Sequence, residues 1–151
     1  MPESFSTRLM RWRFNWFPAY RATGARVTYI AADWLEVHVR LRLTWRTRNY
    51  VGTLFGGSIY GAIDPIYMMM LIRLLGPDYV VWDKAAAVRF RRPGRSTLTA
   101  RLVLDPALVE GIRAELRTVE KTERVLPVTL VSADGTVHAT VDKTLHISRR
   151  R

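Results

Sequence analysis

The chain of 151 residues contains no cysteine. This absence excludes disulfide-stabilised scaffolds, metal sites built on thiolates, and cysteine nucleophiles. The N-terminus also lacks the run of about 7 to 15 apolar residues that a secretion signal needs, so we expect a cytoplasmic protein. Histidine is scarce, with three residues, and His38, His138 and His146 all fall on positions that we expect at the surface. Carboxylates and backbone amides are therefore the main candidates for any catalysis, and we expect no metal or other cofactor.

Lysine is also rare, yet the protein is strongly basic. The formal net charge is +11, and all but three of the 24 basic residues are arginine. Such an excess is typical of proteins that bind nucleic acid or anionic membranes. The arginines are spread over the whole chain, however, and no helix-turn-helix, zinc-finger or RNP-type pattern accompanies them. We therefore expect no nucleic-acid partner and keep a basic surface for nucleic acid or lipid as an alternative.

No apolar run is free enough of charge to predict a membrane span. The longest, residues 58–75, approaches the roughly 20 residues that a span requires, but Asp64 lies in its middle and Arg73 near its end. This segment is predicted to be a helix buried inside the protein. The length predicts one domain over residues 1–151, with 1–17 as an N-terminal helical extension and 148–151 as a basic tail.

Residues 4–16 show the periodicity of a short amphipathic helix. Phe5, Leu9, Trp12 and Trp16 recur at nearly helical spacing and form one apolar stripe. We expect this stripe to dock on the body of the domain, and an anchor on a membrane surface is the alternative.

The rest of the chain predicts an α+β domain with six strands and one long central helix. Apolar and polar residues alternate with the period of two that half-buried antiparallel strands show. Asp105-Pro106 predicts the start of a short helix, and Asp134-Gly135 predicts a type I′ turn. An antiparallel sheet of this kind can wrap around the single helix. The predicted strands are 26–31, 34–43, 80–92, 96–104, 125–133 and 136–147.

Two glycines and one acid stand out in the long apolar helix. Gly56 and Gly57 lie at its predicted start, where first-turn N–H groups lack partners and can receive a carbonyl oxygen, an oxyanion or a phosphate. Asp64 follows in otherwise apolar surroundings. An unpaired buried carboxylate is costly, so Asp64 is predicted to be functional; pairing with Arg73 or with a backbone group is the alternative.

Asp64 and Gly56 lie too far apart to act together within one chain. The helical rise places them roughly 12 Å apart along the axis. Two such helices, running antiparallel across a two-fold axis, would bring Asp64 of one chain to Gly56 of the other and create two equivalent sites. We therefore expect a homodimer, or a homotetramer built as a dimer of dimers.

The order of motifs resembles a known family. Asn49, Gly52-Thr53-Leu54, Gly56-Gly57 and Asp64 are similar to the pattern of hotdog-fold thioesterases of the phenylacetate-type acyl-CoA group. The wider sequence looks most like an uncharacterised thioesterase-like branch of that superfamily, known as a domain of unknown function. The resemblance implies a six-stranded antiparallel sheet wrapped around one long helix, and an acyl-CoA or acyl-carrier thioester hydrolase.

The resemblance also implies roles for single residues. The Gly56 N–H would polarise the thioester carbonyl, Asp64 of the opposite subunit would act as general base or nucleophile, and the Asn49 amide would position water. Phe55, Gly57 and Ser58 would contact the substrate. A thioester needs a polarised carbonyl and an activated water, which these groups supply without a metal.

Two residues depart from the expected pattern. Phe55 stands where many of these enzymes have histidine. The alternative function, a protein that binds acyl thioesters without cleaving them, therefore stays open. Pro65 removes one helical hydrogen bond and crowds the carbonyl of Gly61. We predict a kink at Asp64 that Gly61 accommodates and that aims the carboxylate.

The strand after the helix carries further candidates for substrate binding. Asp83 could serve as a second carboxylate or pair with Lys84. At the other end of the strand, arginines could hold the phosphates of a nucleotide linked to pantetheine, or could simply be solvated. These arginines are Arg91, Arg92 and Arg95.

Overall fold

The structure is a computed structural model and describes residues 1–150. Arg151, the last residue of the predicted basic tail, lies outside the described residues. The elements in chain order are α1 (Phe5–Trp16), α2 (Pro18–Ala22), β1 (Ala25–Ile30), β2 (Glu36–Leu41), α3 (Gly56–Ile63), α4 (Ile66–Leu75), β3 (Tyr79–Phe90), β4 (Leu98–Val103), α5 (Pro106–Glu115), β5 (Lys121–Val131) and β6 (Val137–Arg149).

The six strands form one antiparallel sheet in the order β1-β2-β4-β5-β6-β3. The alternation in β2 explains its orientation, because Val37, Val39 and Leu41 are buried while the residues between them are not. Apolar residues from α3 and α4 join those of the strands in one buried core. The predicted α+β class and the hotdog arrangement, a sheet around one central helix, are therefore confirmed.

The central helix is interrupted where proline was expected to disturb it. α3 ends at Ile63, Asp64 is its C-terminal cap, and α4 begins at Ile66. Pro65 has φ −86° and ψ −3°, which departs from helical geometry. The combined stretch Gly56–Leu75 is long and apolar enough to cross a membrane by length and composition alone, and half of it is buried inside the protein.

The hairpin between β5 and β6 corrects the predicted turn. A type I′ turn needs positive φ at both central residues. Of the pair, only Gly135 has it, with φ +82°, whereas Asp134 does not. The loop is closed by the Ser132 N–H donating to the Thr136 carbonyl and the Gly135 N–H donating to the Ser132 carbonyl. Residues 133–135 therefore form a three-residue loop that ends on Gly135, and not the predicted two-residue loop.

Both ends of the chain also differ from expectation. The predicted docking of the α1 stripe is wrong, because Phe5, Leu9, Trp12 and Trp16 are all exposed. The opposite side of α1 packs on the domain instead, through the buried Thr7 and partly buried residues. At the C-terminus, β6 continues to Arg149, so the first two residues of the expected tail belong to a strand.

Candidate functional site

The N-terminus of α3 is held by the loop that precedes it. Phe55 is the N-terminal cap residue, and its N–H donates to the Thr47 carbonyl at 2.8 Å. The Leu54 N–H donates to the Gly94 carbonyl at 2.8 Å, which ties the loop to the segment after β3. The Ile59 N–H donates to the Phe55 carbonyl. The three N–H groups before it in α3 have no main-chain acceptor among the described residues. The amides of the first turn therefore remain available as donors.

Asn49 shapes this loop with its whole side chain. Its Oδ1 accepts hydrogen bonds from the N–H groups of Val51 and Thr53, at 3.1 and 2.9 Å. Its Nδ2 donates to Thr53 Oγ1 at 2.9 Å and to the Leu54 carbonyl at 3.4 Å. The amide is thus engaged at both ends within the loop that leads to Gly56. Its role in positioning water stays a prediction.

Asn49 and Gly56 share one cavity. Its volume is about 430 Å³, and its lining combines apolar side chains with two arginines and the glycine at the start of α3. Phe90 covers the glycine, since a Cβ added to Gly56 would lie 3.0 Å from the end of the Phe90 ring. The lining residues are Asn49, Thr53, Leu54, Gly56, Ile59, Phe90, Arg91, Arg92, Pro93 and Gly94.

The neighbouring predicted contacts lie beside this cavity. The Phe55 ring is exposed and lies over Gly57, where an added Cβ would come within 2.4 Å of the ring. Ser58 is buried within the first turn. An apolar ring therefore stands at the start of α3, and it offers no side-chain hydrogen bond.

Asp64 belongs to a second cluster, formed with two strands. Its Oδ1 accepts from the Tyr60 hydroxyl at 2.5 Å and from Lys143 Nζ at 2.7 Å. Lys143 also donates to the Tyr60 oxygen at 3.0 Å and forms an ion pair with Asp83 Oδ1 at 3.0 Å. Asp83 Oδ1 is buried and has no well-aligned hydrogen bond among the described residues. We call Tyr60, Asp64, Asp83 and Lys143 the lysine cluster.

Burial and charge act against each other in the lysine cluster. The Lys143 side chain is fully buried, while those of Asp64 and Asp83 keep 43% and 22% exposure. Burial disfavours the lysine cation, but its hydrogen bonds and ion pair outweigh burial and raise the pKa of Lys143. Burial raises the pKa of Asp83, partly offset by Lys143. Burial, followed by the hydrogen bond to Asp64, raises the pKa of Tyr60.

These contacts replace the pairings considered from the sequence. Asp64 pairs with Lys143 rather than with Arg73, whose guanidinium lies over the Trp34 ring at 5.5 Å. Asp83 also pairs with Lys143. Lys84 instead forms an exposed ion pair with Glu123.

The sequence reasoning missed Lys143, although the strand pattern contains a signal for it. Val141 and Leu145 are inward-facing residues of β6, and Lys143 lies between them in the same register. Side chains two residues apart in a strand share a face. A lysine at an inward position needs a partner of opposite charge. Asp64, which also lacked a partner in the sequence analysis, was the acid to consider.

The predicted arginines divide between two cavities. Arg91 and Arg92 line the cavity at Gly56, whereas Arg92 and Arg95 line a neighbouring one of about 710 Å³. His138 supports this segment and is buried, contrary to its expected place at the surface. Its ring nitrogens contact the Pro93 carbonyl at 3.1 Å and Ser132 Oγ at 3.0 Å.

Within one chain, the structure therefore separates the two halves of the predicted site. Asn49, Gly56 and the arginines surround the start of α3, and Asp64 with Asp83 lies at its other end. In the described part of the chain, no group of three or more His, Cys, Asp or Glu side chains is arranged to hold a metal ion.

The chain belongs to the family described as a domain of unknown function, DUF4442, which matches residues 6–147. A search of curated protein sequences finds no significant match.

Solved structures share the fold. A Pseudomonas aeruginosa protein of unknown function, PA5026, described as a probable thioesterase, is 20% identical with a TM-score of 0.82, and the match covers 99% of each chain. Thioesterase HI1161 from Haemophilus influenzae is 16% identical with a TM-score of 0.71, covering 97% of this chain and 93% of its own. A variant of thioesterase PA1618 from Pseudomonas aeruginosa is 15% identical, with a TM-score of 0.70 and coverage of 94% for both.

Proposed function

We propose that the protein hydrolyses the thioester bond of acyl-CoA or of an acyl-carrier substrate. The observation that carries this proposal is the cavity at the start of α3, where Gly56 offers a first-turn amide beside apolar and arginine side chains. An amide in that position can polarise a thioester carbonyl. The names of the structural neighbours give additional support to this choice of reaction.

The proposed active unit is a dimer. β3 is a 12-residue strand at one edge of the sheet, and a row of small residues, Ala85, Ala86 and Ala87, is exposed along it. A long exposed edge of this kind is suited to pairing with another strand. β3 also contacts α4, so pairing along it brings two central helices towards each other. Asp64 of one protomer would then complete the cavity at Gly56 of its partner.

The chemistry follows from these two groups. Asp64 takes a proton from a water molecule, whose oxygen attacks the thioester carbonyl carbon. The Gly56 N–H stabilises the negative charge that develops on the carbonyl oxygen. The carbon–sulfur bond then breaks, and the products are a carboxylic acid and a thiol that receives the proton. Lys143 and Tyr60 both bind Oδ1 of Asp64. In this mechanism Oδ2 is the oxygen that accepts the proton from the water.

The remaining predicted residues fit substrate binding. Arg91 and Arg92 at the cavity, with Arg95 beside them, supply donors for the phosphates of a nucleotide head group. Phe55 and Gly57 flank Gly56 in the chain, and the exposed Phe55 ring would offer an apolar surface to the acyl group. Asp83 contributes by holding Lys143 rather than by touching the substrate.

A second candidate function is the binding of acyl thioesters without hydrolysis. The specific observation in its favour is Phe55, whose exposed ring cannot donate or accept the hydrogen bond of a histidine. In this case the same cavity would hold the thioester, and Asp64 would serve the structure alone.

Steady-state hydrolysis of a panel of acyl-CoAs separates the two functions. We expect Asp64→Asn to lower kcat/KM by about 100-fold or more, because it removes the general base while keeping an acceptor for Tyr60 and Lys143. The matched control is Asp78→Asn, which changes an exposed aspartate outside the site and should leave kcat/KM unaltered. If the unmodified protein and Asp64→Asn bind ligand equally and are equally slow, the hydrolase proposal fails and the binding function replaces it.

A further inference from the structure

The face of α1 that is turned away from the domain carries an unpartnered apolar stripe. Phe5, Leu9, Trp12 and Trp16 are 84%, 47%, 59% and 55% exposed. With about 100° of rotation per residue, all four side chains fall within an arc of roughly 60°. The rings of Trp12 and Trp16 lie 6.0 Å apart. Four large apolar residues in one exposed row mark an interaction surface rather than scattered surface residues.

Contacts on the other sides of α1 hold this orientation. The Phe14 ring packs on the buried Tyr20, with centroids 4.4 Å apart. The Asn15 side chain accepts from the Val27 N–H and donates to its carbonyl, both at 2.8 Å, and so binds α1 to β1. α1 is thereby fixed on the sheet, and turning the apolar stripe inward would break these bonds.

Arginines flank the apolar stripe on both sides. In the helical projection, Arg8 lies about 60° to one side of Phe5 and Arg13 about 80° to the other. Arg21 lies over the Trp16 ring at 4.7 Å, and Arg26 and Arg40 line a cleft with Trp12 and Trp16. α1 itself contains no acidic residue. Glu3, the nearest acid along the chain, forms an ion pair with Arg11 at 2.8 Å.

The apolar stripe lies away from the edge that we propose for dimerisation. α1 packs on β1, and β1 and β3 are the two opposite edges of the sheet. Pairing along β3 would leave the apolar stripe open.

We propose that α1 docks the protein on an anionic lipid bilayer, with the helix lying in the plane of the membrane surface. Tryptophan, phenylalanine and leucine on one side of a helix, with arginines flanking them, suit the boundary between lipid head groups and acyl chains. The surrounding positive charge complements anionic head groups. Contacts between the arginines and the phosphates of a nucleic-acid duplex would leave the row of aliphatic and aromatic side chains in water. This inference stands independently of the proposed hydrolysis.

Flotation with lipid vesicles tests the proposal. The full chain is mixed with vesicles of phosphatidylcholine alone, or of phosphatidylcholine with phosphatidylglycerol, and the bound fraction is measured at low and high salt. We expect binding to the anionic vesicles that is weakened by salt, because part of the attraction is electrostatic. Trp12→Ser combined with Trp16→Ser should lower the partition coefficient by about tenfold or more, because two aromatic rings no longer enter the bilayer.

A matched control shows whether a loss of binding comes from the apolar stripe or from the removal of any exposed tryptophan. Trp45 is an exposed tryptophan with Arg46 over its ring at 4.9 Å, outside α1. Trp45→Ser should bind anionic vesicles as the unmodified protein does. A second variant, Arg8→Gln with Arg13→Gln, should reduce binding and its dependence on salt. Circular dichroism verifies that all variants are folded.

Three outcomes would overturn the proposal. The first is absence of binding to anionic vesicles at low salt. The second is equal binding by the double tryptophan variant and the Trp45→Ser control. The third is a change of oligomeric state in the double variant, seen by light scattering, without vesicle binding by the unmodified protein, which would assign the apolar stripe to a second copy of the chain.

Discussion

Replacing Lys143 by methionine should destabilise the fold far more than an ordinary lysine substitution. The Nζ atom is fully buried and lies within 3.0 Å of oxygen atoms from Tyr60, Asp64 and Asp83. Methionine fills a similar volume but leaves both carboxylates without their cation. Removing one partner of a fully buried ion pair costs about 3–5 kcal/mol. Because both carboxylates keep some contact with solvent, we expect a loss of about 2–3 kcal/mol.

The assay is equilibrium denaturation followed by circular dichroism, with Lys84→Met as the matched control. Lys84 is paired with Glu123, but the two side chains are 54% and 44% exposed. An exposed pair contributes about 0–1 kcal/mol. For a chain of this length, the expected loss at Lys143 corresponds to a decrease in Tm of about 4–12 °C. Asp83→Asn in the Lys143→Met background should recover part of the loss, since it removes an unpaired buried charge.

The pH dependence gives a second readout. The raised pKa of Lys143 means that the stability its cation provides is fully present below the ordinary pKa of 10.5 and is lost as pH rises through the folded-state pKa. The difference between the unmodified protein and Lys143→Met should therefore be largest near neutral pH. It should shrink as pH falls through the raised pKa of Asp83, because the protonated carboxyl group needs no cation. A pH-independent loss, or one no larger than that of Lys84→Met, would refute the reasoning.

Two further substitutions test packing and a buried phenol. Gly61→Ala should cost about 1–3 kcal/mol of unfolding free energy, because the new Cβ would lie 2.8 Å from Thr23 Cγ2. Gly111 is a helical position with open space around it, so Gly111→Ala should instead stabilise the fold by about 0.5–1 kcal/mol. If urea denaturation gives both variants a change in unfolding free energy of the same sign, this account is contradicted. Burial raises the pKa of Tyr67 to about 12, so its contribution is complete below the ordinary pKa of 10.0 and is lost as pH rises towards 12. Tyr67→Phe loses the hydrogen bond to the Pro127 carbonyl, about 1 kcal/mol at neutral pH, and should show a smaller decrease of Tm in alkali; an unchanged alkaline decrease would assign it to other groups.

The fold could be predicted from local patterns because most of its elements agree with their own sequence. In β2 the apolar residues alternate, and in α5 Asp105 caps the helix by accepting from the Ala107 N–H at 2.8 Å. The orientation of α1, in contrast, could not be predicted from its local pattern. Its sequence offers two candidate faces, the stripe around Trp12 and the opposite side around Phe14. Which one packs depends on contacts with residues distant in the chain, such as Asn15 with Val27. Helical periodicity carries no information about such partners.

The candidate site was predictable in its outline and not in its pairings. The position of Gly56 at a helix start and the interruption after Asp64 follow from glycine and proline chemistry, which is local. The partner of Asp64 is set by the register of β6 against β3, where a bulge lies between Asp83 and Ala85. A bulge shifts the facing of side chains by one residue and is not visible in an alternating pattern. Asp83 lies opposite Leu145, on the face of β6 that also carries Lys143, whereas Lys84 is left out of the strand pairing at the bulge and binds Glu123.

The lysine cluster also bears on why a charged residue is retained in the core. An apolar side chain between Val141 and Leu145 in β6 would pack without desolvating a cation, and replacing a whole buried ion pair by apolar residues is often neutral or stabilising. Stability alone therefore does not favour Lys143 together with Asp64. What the pair provides is a carboxylate fixed through one oxygen, at the break between α3 and α4, while it remains 43% exposed. That exposure is what the proposed role of Asp64 as general base requires, because the carboxylate has to reach a water molecule.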